Sequence, residues 1–247
     1  MKTIAMIPAR YEASRFPGKL MKTLGDAPVI VQTYRATLQT QLFDDVFVVT
    51  DSELIFDTIV AAGGKALMSR LDHQSGSDRI AEAVHDMDVD LIVNVQGDEP
   101  FAEKRSLEKL IASFNTDFKK EIDLASLMVK ITDPKEIQNP NTVKVITDQR
   151  GLAIYFSRHA IPFSRDNSDE TQFFKHKGVY AFRKQALLDF QKLEPQMLEL
   201  SEKIECLRFL EHGRKIQMVE TDVLGIEIDT PEDLQEAQKI WNSNKLS

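Results

Sequence analysis

Cysteine is nearly missing: Cys206 is the single one in 247 residues. That excludes an intramolecular disulfide and fits a reducing compartment, by default the cytoplasm. No apolar run reaches the roughly 18 residues that a membrane span needs, and the N-terminus has no apolar segment followed by a small-residue cleavage site, so neither membrane association nor export is expected. The five histidines (His73, His85, His159, His176 and His212) show no H-E-x-x-H or paired Cys/His spacing, which argues against zinc. Both standard phosphate fingerprints, G-x-x-x-x-G-K-[ST] and G-x-G-x-x-G, are absent. Gly63-Gly64-Lys65 lies between a helical and a strand pattern and reads as a helix C-cap. With no G-x-S-x-G and no Cys/His nucleophile pattern, covalent acyl chemistry has no support. Positive charge is short as well: the net charge is −8. An acidic chain repels a nucleic-acid backbone unless a local basic face compensates, and none is visible beyond the first loop.

What is present is an apolar content of 42%, enough for one large α/β domain or a domain with an appended lobe. The first half alternates strand and helix signals. Apolar Ile4–Ile7 is a strand that ends at Pro8. Pro8 cannot donate to a central ladder, so a loop begins there. Gly25-Asp26 marks a turn before a helix through Val29, Ile30, Tyr34 and Leu38. Asp45–Thr50 is a buried strand, and Asp51-Ser52 caps a helix ending at Gly63. A short strand at Lys65–Ser69, a polar loop at Arg70–Ser77, a helix at Asp78–Met87 and a strand at Asp90–Val95 follow. Near-continuous apolar strands separated by helices predict a doubly wound, mostly parallel sheet. From about Glu121 strand-like runs come in sequence (Ile122–Ile131, Thr142–Thr147, Leu152–Phe156, Phe173–Phe182), which reads as a mixed or antiparallel extension. Helices at Lys184–Leu193 and Met197–Glu211, strands at Lys215–Glu220 and Gly225–Ile228, and a helix opening at Thr230-Pro231-Glu232-Asp233 complete the chain. With no repeat and no linker, residues 1–247 read as a single domain with an insertion at about 121–220.

The loop after the first strand is basic: Arg10, Arg15 and Lys19 stand against Glu12 alone, and Pro17-Gly18 can turn backbone amides and Lys19 toward one point. Ligands of open α/β sheets sit beyond the carboxyl ends of the strands, so a cationic loop there suits a polyphosphate. The plainer alternative is a solvated surface loop. Asp98, after Asn94-Val95-Gln96-Gly97, and Asp229, after Gly225–Ile228, share the same address. Two carboxylates opposite a phosphate loop suit magnesium, which takes one or two protein carboxylates and fills its octahedron with water and phosphate. Their plainer roles are a turn residue in Gly97-Asp98-Glu99-Pro100 and a helix starter ahead of a capping box. Ser157-Arg158 and His176–Tyr180 are candidates for an acceptor subsite, Arg158 through bidentate binding of a carboxylate. Otherwise Arg158 is a surface arginine, His176 a lone polar group on a strand and Tyr180 a core aromatic.

Nine segments, taken in order, carry a resemblance: IPARYEASRFPGK, VVTD (Val48–Asp51), DHQSGSDR (Asp72–Arg79), NVQGDEP (Asn94–Pro100), NPNTVKVI (Asn139–Ile146), YFSRHAIPFSRD (Tyr155–Asp166), KHKGVYAFR (Lys175–Arg183), ECLRFLEHG (Glu205–Gly213) and IDTPEDL (Ile228–Leu234). Over nearly its whole length the chain resembles the 3-deoxy-manno-octulosonate cytidylyltransferases. The resemblance implies a nucleotide-diphospho-sugar transferase-like fold and a reaction joining CTP to the eight-carbon acid sugar Kdo, giving CMP-Kdo and pyrophosphate with Mg2+. It also implies a cytoplasmic homodimer serving lipopolysaccharide synthesis. It places Pro8, Ala9, Arg10, Ser14, Arg15 and Lys19 on CTP, with Ser75 and its loop near the cytosine. Asp98 and Asp229 fall on magnesium, and Gln96, Arg158, His176, Tyr180 and Glu205 on the sugar acid. Arg10, Lys19, Asp98 and Asp229 are the catalytic set. Two positions depart from the family pattern: Cys206 stands where glutamine is usual, and Leu20 follows Lys19 where proline is usual. The same reaction on 8-amino-Kdo or a sialic acid, a nucleotide-sugar hydrolase, and a non-catalytic nucleotide-binding protein are the alternatives.

Overall fold

In a computed structural model of the chain, residues 1–12, 16–70, 73, 75–165, 171–223 and 225–244 are described. They fall into two compact units, Met1–Lys104 with Gly225–Ser247, and Arg105–Leu224.

The first unit runs β1 (Thr3–Ala9), a two-strand hairpin of β2 (Thr23–Leu24) and β3 (Ala27–Pro28), α1 (Val29–Gln39), β4 (Asp45–Thr50), α2 (Glu53–Ala61), β5 (Ala66–Met68), α3 (Gly76–Val84) and β6 (Leu91–Asn94). The order β6-β1-β4-β5 is parallel throughout. Ile4 to Ile7, Val46, Val48, Val49 and Leu91 to Val93 are buried, as strands covered on both faces must be. Each Ile, Leu, Val or Met side chain among them contributes roughly 1.5–3 kcal/mol relative to exposure. The order reverses at β1, so the carboxyl ends of β1 and β6 open a crevice at a topological switch point.

β1 does not stop before Pro8; it continues to Ala9, with Pro8 opposite Val49. Pairing with β6 ends at Met6↔Asn94, so the missing N–H of Pro8 forfeits no ladder bond on that side. The start of α2 behaves as the sequence predicts, whereas α3 starts at Gly76, two residues before the expected Asp78, and ends at Val84 instead of Met87. Ser52 accepts from Ile55 N at 3.4 Å and Ser75 from Asp78 N at 3.1 Å, and Gly63, at φ 78°, follows the end of α2.

All of α4 (Lys104–Asn115) but its first residue belongs to the second unit; the helix has no counterpart in the sequence reading although Leu107, Leu110 and Phe114 form its buried stripe. After it come β7 (Leu124–Lys130), α5 (Pro134–Gln138), β8 (Lys144–Thr147), β9 (Ala153–Ser157), β10 (Phe174–Arg183), α6 (Lys184–Phe190), α7 (Met197–Glu202), α8 (Leu207–Glu211) and β11 (Ile216–Glu220). β11 pairs parallel with β7, whereas β10 is antiparallel to β7 and β8, and β8 to β9. These strands are therefore mixed, as expected.

The segment Met197–Glu211 is two helices and not one. Lys203, at φ 54°, ends α7 in the left-handed region, and its N–H bonds Glu199 O. The break lets α8 return on α7: Arg208 grips the Glu199 carboxylate at 2.6 and 2.7 Å, and Glu211 accepts from Leu198 N and Glu199 N, capping α7. Gly225–Ile228 is not a strand either; Ile228 N reaches Asp98 O at 3.0 Å and no ladder follows. The C-terminal helix, Pro231–Asn244, belongs to the first unit. Among the described residues no helix is long and apolar enough to cross a membrane.

Candidate active site

Gly18 is the pivot of the first loop. Its φ of 66° is a conformation that glycine adopts without strain, its N–H closes on Tyr11 O at 3.2 Å, and a single 3-10 turn, Lys19–Met21, starts immediately after it. The turn sends Lys19 into the switch-point crevice, where Nζ lies 2.5 Å from Asp98 Oδ2 and 2.8 Å from Asp229 Oδ1. Burial works against the ammonium, but Asp98 and Asp229 outweigh it and hold the Lys19 pKa above its ordinary value.

Each carboxylate is held by its own support. Asp98 sits in a turn closed by Glu99 N on Gln96 O (3.1 Å), and α1 steadies that turn through Thr33 Oγ1 on Gly97 O (2.8 Å). A Cβ on Gly97 would stand 3.1 Å from Pro8 O, so the close approach of the two strand ends favours glycine. Asp229 is placed by the bond from Ile228 N to Asp98 O. The capping work belongs to its neighbours. Asp233 Oδ2 accepts from Asp229 N and Thr230 N at 3.0 and 2.8 Å, and Thr230 Oγ1 accepts from Asp233 N at 3.2 Å, while the Asp229 carboxylate faces Lys19.

Negative charge is in excess here. Burial, then the charges of Asp98, Glu99 and Asp229, push the Glu227 carboxyl up to about 7, with Lys19 opposing. Among the described residues no group of three or more His, Cys, Asp or Glu could hold a metal ion. Asp98 and Asp229 are a pair, the number of carboxylates that magnesium ordinarily takes from a protein.

Arg10 leaves the end of β1 after buried Ala9 and donates through Nη2 to His73 O. The His73 loop is anchored in turn by Glu82, which accepts from Ser69 Oγ (2.8 Å) and Arg70 N (2.9 Å) and meets His73 Nε2 at 2.6 Å. A cavity of about 230 Å³ is lined by Pro8, Arg10, Lys19, Gly76, Gln96 and Asp98, among others. A second, of about 500 Å³, is lined by Arg10, Tyr11, Glu12, Asp51, Ser52 and Leu54. Ser75 caps α3 beside the first cavity; Ser14 and Arg15 lie outside the described residues.

The sugar candidates other than Gln96 lie in the second unit. The Arg158 guanidinium donates to three backbone carbonyls, Glu202 O (2.7 Å), Pro140 O (3.0 Å) and Lys203 O (3.3 Å). His176 packs between Phe156 and Tyr180, with ring centroids at 5.0 and 5.5 Å, and its Nε2 is 2.9 Å from Ser126 Oγ. Burial depresses its pKa to about 4, so the ring is neutral near pH 7. Tyr180 Oη contacts Cys206 Sγ at 3.7 Å, and burial pushes that thiol up to about 12, which leaves it inert as a nucleophile. Glu205 is half-buried next to it. The structure thus brings Lys19, Asp98 and Asp229 together in one unit, and His176, Tyr180 and Cys206 together in the other.

Asp51, Ser52, Tyr11 and Glu227 escaped the sequence reading as site residues. VVTD at the end of β4 was the available signal for Asp51, since it occupies the same carboxyl-end address as Asp98.

A switch-point crevice with a lysine-bearing glycine turn and two carboxylates is the frame of a nucleotidyl-transferring enzyme. Residues 4–216 match the cytidylyltransferase family model. The chain is 60% identical to the 3-deoxy-manno-octulosonate cytidylyltransferase of Flavobacterium johnsoniae over 96% of its length and 98% of the relative's. It is 57% identical to that of Christiangramia forsetii, over 97% and 96% of the two chains. A solved CMP:2-keto-3-deoxy-manno-octonic acid synthetase complexed with CTP superposes with a TM-score of 0.93 at 36% identity, covering 99% of this chain and 100% of that one. The chain belongs to the 3-deoxy-manno-octulosonate cytidylyltransferase family of nucleotidyltransferases.

Proposed function

We propose that the chain transfers CMP from CTP to the anomeric 2-hydroxyl of Kdo, releasing pyrophosphate. The observation that carries this reading is the convergence of Asp98 and Asp229 on the Lys19 ammonium at the switch point, in a chain 60% identical to a 3-deoxy-manno-octulosonate cytidylyltransferase.

Displacement at the α-phosphate asks mainly for positioning and charge neutralisation. Arg10 and Lys19 hold the triphosphate and balance charge on the departing pyrophosphate. Asp98 and Asp229 would hold magnesium, and the negative charge that Asp98, Glu99 and Asp229 gather around Glu227, whose pKa burial and these carboxylates raise, fits a cation there. When bound, magnesium lowers the pKa of an attacking hydroxyl and neutralises phosphate charge. No separate general base is needed.

The second unit's Arg158, His176, Tyr180 and Glu205 receive the sugar acid. A carboxylate competes well for Arg158 because charge-assisted bonds are stronger than those to neutral carbonyls. The segment at about 121–220 serves as the acceptor and dimerisation insertion. Exposed Ile154, Met197 and Leu200 supply apolar surface for a homodimer, and a buried free thiol suits the cytoplasm, where CMP-Kdo enters lipopolysaccharide synthesis. Pyrophosphate release from CTP and Mg2+ tests the reading: it should require Kdo. Release of CMP from CTP without an acceptor would make the chain a hydrolase, and no release would make it a binder.

A further inference from the structure

Arg79, on the first turns of α3, is wholly enclosed at 0% exposure. Its Nη2 donates to Asp51 Oδ2 at 2.6 Å, while Nε and Nη1 have no hydrogen-bond partner among the described residues. A buried guanidinium is costly unless its donors are met, and one carboxylate oxygen meets only part of that cost. An apolar side chain of similar volume would pack there at least as stably, so stability does not account for the cation. Its one bond does point to a use, because that bond fixes Asp51.

Asp51 directly follows β4, at the carboxyl end of the sheet, with its side chain 38% exposed. It lines the 500 Å³ cavity with Tyr11, Glu12 and Ser52, and this cavity shares Arg10 and Glu12 with the smaller one that holds Lys19 and Asp98. A triphosphate on Arg10 and Lys19 therefore has room for its nucleoside in the larger cavity, whose lining includes Asp51 and not Ser75, the residue that the family resemblance sets near the cytosine. An Asp51 carboxylate whose one oxygen is tied to Arg79 presents acceptor lone pairs and no donor. An exocyclic amino group on a pyrimidine donates to such an acceptor, whereas the oxygen that uracil carries at the same position meets it lone pair to lone pair.

We infer that Asp51, held in place by the buried Arg79, selects the amino-bearing pyrimidine of the incoming nucleoside triphosphate, cytosine over uracil. Asp51 touches the base, and Arg79 is a positioning residue acting through it. The inference deepens the nucleotide reading of the site and rests on it, but not on transfer to Kdo.

The test is calorimetric binding of CTP and UTP to the full chain with Mg2+ and no sugar. The wild type should prefer CTP by about tenfold or more. Asp51→Asn keeps an oxygen for Arg79 but can turn an amide donor to the cavity; CTP affinity should fall and UTP affinity hold or rise, so that the preference collapses or inverts. Arg79→Met should lose part of the preference, and Arg79→Lys less of it. A probe that needs no variant is N4,N4-dimethyl-CTP, which lacks the amino hydrogens and should bind the wild type no better than UTP. A wild type without CTP preference, an unchanged ratio in Asp51→Asn, or dimethyl-CTP binding like CTP would each overturn the assignment. A chain that prefers CTP in the predicted way but transfers nothing to Kdo would refute the transfer reading and leave the role of Asp51 standing.

Discussion

Lys19 and Asp229 are separated by 210 positions in the chain, yet Lys19 Nζ lies 2.8 Å from Asp229 Oδ1. The same ammonium meets Asp98, with 14% of the lysine side chain and 16% of the aspartate exposed. One cation thus balances two part-buried carboxylates, and its removal should be felt in both folding and catalysis.

Lys19→Met should lower turnover on the order of 10² to 10³, the usual cost of removing one preorganised charge. It also strands two carboxylates, so the variant should melt below the wild type. Magnesium should raise the melting temperature of Lys19→Met more than that of the wild type, because the metal then supplies charge that the lysine no longer does. Equal magnesium shifts in the two proteins, read by differential scanning fluorimetry, would count against metal binding at this pair.

The acid limb of stability should report His176. Its folded pKa of about 4 lies below the ordinary 6.5, so between those values the unfolded chain binds the extra proton and folding stability rises with pH. The contribution is present above about pH 6.5 and is lost as pH falls toward 4, amounting to at most about 3 kcal/mol. Urea unfolding at pH 7 and pH 4.5 should show a smaller loss in His176→Gln than in the wild type, and an unchanged loss would place the acid sensitivity elsewhere.

Arg158→Ala should raise the KM for Kdo well above any change in the KM for CTP. Because Arg158 also bonds the carbonyls of Pro140, Glu202 and Lys203, the variant should lose stability as well. Steady-state kinetics with each substrate varied in turn separates the two effects. Equal KM changes for both substrates would argue against a distinct acceptor subsite.

Much of the first unit was legible because β1, β4 and β6 are apolar runs bounded by turns and caps, a local signal that burial on both faces imposes on parallel strands. Lys203 was not legible: its left-handed conformation falls on an ordinary residue inside an apolar-periodic stretch, and the reason for the break, Arg208 returning to Glu199, is a tertiary contact. Asp98 and Asp229 could be paired by their shared address at strand ends, but the second is placed by one backbone bond from Ile228 and not by a strand. Glu227 carried no local sign at all, since its raised pKa comes from burial and from carboxylates brought in from distant segments.

The most direct test of the account is turnover of Asp98→Asn and Asp229→Asn, each at saturating Mg2+, CTP and Kdo, with pyrophosphate release as the readout. Both should lose on the order of 10² to 10³, and the double variant should lose far less than the product, because the two act on one centre. Near-native turnover in either single variant would contradict the claim that these two carboxylates serve one metal-bound nucleotide.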